Sequence, residues 1–135
     1  MATMNDPTPA PMTSDDLRRL GRLARPGDAC PACGEWVCPG WESLPVSFER
    51  SRLRRVGTLR RGGDEEPTVE EHHPDGTHGW SVDAPIAPAF FPYNRCEVWQ
   101  CVTCERAFLR YTEYGGYYED ERIRALDPDL VVDVS

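Results

Sequence analysis

The sequence predicts an α+β fold: antiparallel β-hairpins clasped by a four-cysteine site, one short N-terminal helix, and a loop-rich insertion between the two halves of the clasp. Three observations carry this expectation. Cysteines recur as two Cys-x-x-Cys pairs, Cys30/Cys33 and Cys101/Cys104. A capped apolar period precedes the first pair, and strand-like segments flank the second.

Residues 1–12 hold three prolines and no apolar period, so they read as a disordered tail that buries too little surface to offset the entropy of ordering. The remainder, 13–135, is one domain's worth of chain. Thr13 followed by Asp16 is a helix start. Leu17, Leu20 and Leu23 or Ala24 then recur at helical spacing until Pro26-Gly27 stops the run. Cys30-Pro31-Ala32-Cys33-Gly34 follows, a tight turn suited to two thiols, with Glu35 to Cys38 leaving it as a strand.

The insertion, 39–95, is harder to read. From Ser47 to Arg61, Leu53, Val56 and Leu59 fit a helix while Val46 and Phe48 fit a strand, and the pattern decides nothing. Gly62 to Glu66 is an acidic loop. Val69 to Trp80 reads as a hairpin around Pro74-Asp75-Gly76, with Gly76 left-handed and His72 across from His78. Asp83 to Tyr93 carries Pro85, Pro88 and Pro92, so it is an extended strap that lays Ile86, Phe90, Phe91 and Tyr93 over the core.

The last third reads as strand, knuckle, strand, turn, strand. Taking Gly115-Gly116 as a two-residue hairpin turn sets Tyr114 opposite Tyr117, Arg110 opposite Glu121 and Phe108 opposite Ile123, all favourable cross-strand pairs. The tail from Asp127 combines a proline suited to a helix start with the β-branched Val131-Val132, and stays undecided.

Four thiolates from two such turns fit one tetrahedral metal ion, and a closed set of four leaves no position for a reacting water. The arrangement resembles the zinc-ribbon class, in which two knuckles flanked by strands close around one structural zinc. The matching residues are Cys30, Cys33, Gly34, Cys101 and Cys104, and the resemblance implies Zn²⁺ as the cofactor. Two departures stand out: Glu105 replaces the glycine of the first knuckle, and 67 residues lie between Cys33 and Cys101, which makes the metal a clasp between distant parts of the chain. Disulfides or a dithiol redox pair are the competing readings of the four cysteines. Cys38, five residues after Cys33, and Cys96, five before Cys101, are expected to face each other on neighbouring strands, as free thiols, a disulfide or alternative ligands.

Other candidates are weaker. His72, His73 and His78 would supply a metal-dependent hydrolase, yet no carboxylate at a fixed spacing completes such a site. Arg50, Arg52, Arg54, Arg55, Arg60 and Arg61 make a basic stretch, suited to phosphates or to an acidic protein and equally to a solvated face balanced by Glu65, Glu66, Glu70 and Glu71. The C-terminal hairpin sets Tyr114, Tyr117 and Tyr118 beside Glu119 and Asp120, rings with an acidic fringe that a basic partner would meet, although cross-strand packing also explains the tyrosines.

Charge and composition narrow the function classes. A formal charge of −8 disfavours a general nucleic-acid binder. No apolar run is long enough to cross a bilayer, and the first twenty residues lack the basic start and apolar core of a signal peptide, so the expectation is a cytoplasmic protein with reduced thiols. All fifteen basic residues are arginine, which suggests a GC-rich bacterial genome. With no phosphate-cradling loop or nucleophile elbow, the expected function is a non-enzymatic, metal-stabilised protein acting through protein–protein interaction, such as a bacterial inhibitor, immunity or adaptor protein. The alternative is a nucleic-acid-binding ribbon using the Arg50–Arg61 stretch.

Overall fold

The computed structural model describes residues 10–23, 30, 33, 38–44, 49–60, 68–78, 80–114, 117 and 119–133. The readings of the tail 1–9, Ala24, Pro26-Gly27, Gly34, Glu35 to Val37, Val46, Phe48, Arg61, the acidic loop 62–66, Gly115-Gly116 and Tyr118 fall outside these residues. The described chain forms one helix and a five-stranded sheet whose paired strands are all antiparallel, in the order β1-β5-β4-β3-β2.

Helix α1 spans Ser14–Gly21. The Thr13 hydroxyl accepts from the Asp16 amide at 3.1 Å while the Asp16 carboxylate accepts from the Thr13 amide at 2.9 Å, a reciprocal capping box. Those hydrogen bonds from Thr13 hold the Asp16 carboxyl below the usual carboxylate range. The helix ends at Gly21, five residues before Pro26, and Gly21 packs so closely on the C-terminal segment that a Cβ there would come within 3.0–3.3 Å of the Pro128 ring. Leu17 is fully buried, whereas Leu23, beyond the helix end, is exposed. Ahead of the cap, Ala10 to Met12 do not hang free: Thr58 N donates to Ala10 O at 3.0 Å and Met12 N to Thr58 O at 2.9 Å.

The insertion supplies both sheet edges. β1, Glu42–Ser43, pairs with β5, and β2, Leu53–Thr58, pairs with β3. The undecided arginine-rich stretch is therefore a strand after a single 3-10 turn at Arg50–Arg52. A bulge between Arg55 and Gly57 breaks its alternation, which is why no single period fitted. Arg54 and Arg55 are exposed on this edge and discourage pairing with another chain.

β3 (Glu97–Cys101), β4 (Ala107–Tyr114) and β5 (Glu119–Ala125) form a meander. Its last register differs from the expected one by two residues: Tyr114 pairs with Glu119, Arg110 with Ile123 and Phe108 with Ala125, so residues 115–118 form a four-residue connection. A shift of two leaves every side chain on its expected face, and Arg110 still reaches Glu121 diagonally at 3.4 Å. The deciding residue is Arg124. The observed register sets it opposite Leu109, where the shorter turn would have placed Arg122.

Arg124 is fully buried. Its Nε donates to Pro39 O at 3.1 Å, Nη2 to Val82 O and Ala84 O at 3.1 and 2.9 Å, and Nη1 to the Tyr93 hydroxyl. One guanidinium thus ties three loop segments to β5. On this face Leu17, Trp41, Leu59, Ile86, Tyr93, Val98 and Leu109 form the larger core. The proline-rich strap covers it with Ala84, Ile86, Ala87 and Tyr93 buried and Phe91 packed half-buried against the cluster, whereas Phe90, expected there too, stacks instead on His72. The C-terminal tail satisfies both of its signals: Pro128 starts a single 3-10 turn to Leu130, and Val131 then bridges Ile86. The opposite face of the sheet carries Leu53, Cys101, Phe108, Ile123 and Ala125 together with Cys33 and Cys38.

Candidate metal centre

Cys101 ends β3, where Leu53 pairs with it, and the chain then turns through Cys104 into β4. The turn is closed by Glu105 N donating to Cys101 O at 3.1 Å and Cys101 N to Arg106 O at 2.8 Å. Thr103 N points at Cys101 Sγ at 3.4 Å, the amide-to-sulfur contact expected of a knuckle. Glu105 adopts φ +70°, the left-handed conformation that the absent glycine would take without strain.

The other pair meets this turn from 67 residues away. Cys30, Cys33, Cys101 and Cys104 place their sulfurs within 4.8 Å of one another, with Cys30 to Cys101 at 3.8 Å and Cys33 to Cys104 at 3.4 Å. Disulfide sulfurs would lie about 2.05 Å apart, and all six cysteines are free thiols. Cys33 and Cys101 are buried, Cys30 and Cys104 half-buried. Burial first, and then hydrogen bonds with the neighbouring thiols, push the Cys33 thiol far above its ordinary range. Four sulfurs in so small a space resist ionisation unless a cation sits among them, and a bound cation removes that resistance. The donor set therefore fits a metal ion. No protein-family model, curated protein or solved structure matches this chain.

Cys38 and Cys96 do not face each other. Cys38 O accepts from Ala125 beside β5, whereas Cys96 O accepts from Leu59 at the β2–β3 side, with β4 between, and the two thiols belong to different clusters on opposite faces. Burial pushes the Cys38 thiol up to about 11 and Cys96 well above its ordinary range. Both are packing residues, inert as thiolates.

The histidines diverge. Pro74–Gly76 is a single 3-10 turn with Gly76 left-handed at φ +78°, as expected, but no ladder pairs His72 with His78. His72 stacks on Phe90 at 5.4 Å, a His73 ring nitrogen lies 2.6 Å from Glu71, and His78 Nδ1 accepts from Trp80 N at 3.2 Å. Among the described residues, the four cysteines form the one cluster able to hold a metal ion.

Three arginines of the basic stretch have partners: Arg52 pairs with Glu49 at 3.0 Å, Arg55 with Glu97 at 3.2 Å, and Arg54 donates to Gln100 at 3.2 Å. At the hairpin end Tyr117 is completely exposed. Asp120, expected in an open acidic fringe, instead accepts from Ser43 at 2.8 Å and Arg122 at 3.0 Å, which lower its carboxyl below the ordinary range. Beside it lies a cleft of ≈ 140 Å³ lined by Trp41, Trp80, Phe91, Tyr111, Glu113 and Arg122, with Glu71 and Pro92 at its edge. Sequence reasoning missed it, because its walls come from segments far apart in the chain.

Proposed function

We propose that this chain is a zinc-stabilised, non-enzymatic protein that acts by binding a protein partner of basic character. The observation that carries the metal assignment is the four-sulfur cluster. A regular tetrahedron with metal–sulfur bonds of about 2.3 Å has sulfur–sulfur edges of about 3.8 Å, the zinc–thiolate geometry. The Cys30–Cys101 separation of 3.8 Å matches that edge, and the Cys33–Cys104 separation of 3.4 Å needs only a small outward movement. All four ligand positions are thiols, so the ion supplies folding energy by joining the first knuckle to the β3–β4 turn, in the manner of a zinc-ribbon site.

The binding role is supported by the charge of −8 and by exposed aromatic groups at the β4–β5 end, where Tyr117 and Trp80 meet solvent beside Glu119 and Asp120. The nucleic-acid reading is less favoured because Arg52, Arg54 and Arg55 are engaged by groups of this chain. Elemental analysis of the purified protein tests the first half, with one zinc per chain expected; a folded, metal-free protein with native dispersion would overturn it. A salt titration of binding to a basic peptide and to duplex and single-stranded DNA tests the second. Tighter binding to either DNA than to the peptide would reverse the order of the two readings.

A further inference from the structure

The cleft at the end of β4 and β5 is built as a receptor. Tyr111 and Arg122 are cross-strand neighbours, and Glu113 and Asp120 are the next pair toward the hairpin tip on the same face. Trp41 packs edge-on against Tyr111 with centroids 4.9 Å apart, and Phe91 meets the same ring edge-on at 6.1 Å. Trp80 comes from the far side of the insertion, and the Arg122 guanidinium lies over its ring at 4.6 Å. Aromatic walls, carboxylates at the rim and a half-exposed tryptophan are thus assembled at one place.

Size and charge select the ligand. At ≈ 140 Å³ the space is well below the roughly 300–1,000 Å³ of pockets that enclose drug-sized ligands or cofactors, and suits a single side chain. Arg122 is the one cation in the lining. Asp120 at 3.0 Å and Glu113 at 3.5 Å both claim it, and it also donates to the Tyr111 hydroxyl at 3.4 Å. Two carboxylates therefore face one guanidinium, and Glu71 adds a third acid at the edge, within 2.6 Å of a His73 ring nitrogen. The π-faces of the rings add further negative potential. Arg122 on Trp80 shows within this chain that a guanidinium can rest on that ring. Trp80 is 53% exposed, so an incoming side chain finds apolar contact for its stem.

We propose that this cleft takes the arginine or lysine side chain of a basic protein partner, held between Trp80, Phe91 and Tyr111 and the carboxylates of Glu71 and Glu113. This rests on the basic-partner reading above and moves its centre from the Tyr114–Tyr118 hairpin tip to the adjoining face.

The test is a chemical-shift titration of the zinc-loaded protein with an end-blocked Gly-Arg-Gly peptide, followed at the indole N–H groups of Trp80 and of Trp41, which also lines the cleft and serves as the probe in Trp80→Ala, with Gly-Lys-Gly and Gly-Glu-Gly alongside. Saturable shifts are expected for arginine or lysine and none for glutamate, with Trp80→Ala and, separately, Glu113→Gln weakening the interaction at least tenfold. Melting temperature and zinc content report the fold of each variant, and Glu113→Gln preserves the shape of the site if Trp80→Ala does not fold. No shift at Trp80 with either cationic peptide overturns the proposal, and binding of the glutamate peptide would make Arg122 the centre of an anion site. A parallel titration with hexa-arginine separates the two levels. Equal affinity for wild type and both variants removes the cleft and leaves the basic-partner reading standing; no affinity for wild type removes both.

Discussion

Replacing Arg124 by methionine should be among the most damaging single changes that leave the metal ligands intact. The guanidinium has no exposed surface and makes four hydrogen bonds, to Pro39 O, Val82 O, Ala84 O and the Tyr93 hydroxyl. A hydrogen bond from a charged donor contributes about 1.5–3 kcal/mol, and each acceptor left buried without a partner costs about 1–3 kcal/mol. These terms do not add, because loops relax and water enters. The four acceptors are neutral, so no charge is stranded; at the low end of about 1 kcal/mol for each acceptor left unpaired the loss is about 4 kcal/mol, and methionine keeps the hydrocarbon stem, so the cavity contribution is small. We expect a loss of about 3–5 kcal/mol, against a total stability of roughly 5–15 kcal/mol for a domain. Urea unfolding with excess zinc present measures it, with zinc content unchanged and Arg124→Lys intermediate because an ammonium cannot span the same acceptors. A loss below about 1 kcal/mol for Arg124→Met would refute the idea that this residue holds the insertion to the sheet and fixes the hairpin register.

Three further outcomes follow from the clasp and the N-terminal edge. Glu105→Gly should raise stability by about 0.5–1 kcal/mol, since relief of a left-handed non-glycine residue exceeds glycine's added chain entropy, while Glu105→Val should lower it; thermal melting decides, and a lower midpoint for the glycine variant would contradict the strain at φ +70°. Chelation of zinc, or Cys101→Ser, should unfold the sheet, whereas Cys38→Ser should keep one zinc per chain, so near-native circular dichroism after complete metal removal would show that the clasp is dispensable. Gly57→Val should release Ala10 to Met12, because a Cβ at position 57 would lie 2.3 Å from Met12 Sδ and 3.1 Å from Ala10 O; unchanged hydrogen-exchange protection of the Met12 amide would count against that.

What the sequence disclosed was what neighbours in the chain decide. Cys-x-x-Cys spacing places two thiols on one turn, Thr13 and Asp16 cap a helix three residues apart, prolines keep Asp83 to Tyr93 out of an α-helix, although it runs through turns rather than fully extended, and Gly76 supplies its own turn. Distant partners settled the rest. The register of β4 on β5 depends on where Arg124 finds acceptors, and those lie 31 to 85 residues away. Cys38 and Cys96 are symmetric along the chain, but the strand order inserts β4 between their neighbourhoods. Val56 supplied a helical-looking interval because it stands at a bulge. The histidines suggested a paired site only on the assumption of a ladder, and the cleft beside Trp80 exists only once the insertion has folded back.

The order in which this chain leaves the ribosome acquires meaning from the strand pairing. β1 meets β5, Glu42 against Ile123, and the sulfurs of Cys30 and Cys33 meet those of Cys101 and Cys104. During most of its synthesis the first knuckle holds two thiols without their counterparts, and the first edge strand has no sheet to join. Such long-range closure delays folding until β5 has been made and leaves early segments open to chaperones or wrong contacts. Metal capture is therefore expected late: a nascent chain stalled before Cys101 emerges should lose zinc readily, and one extended past Ala125 should keep it.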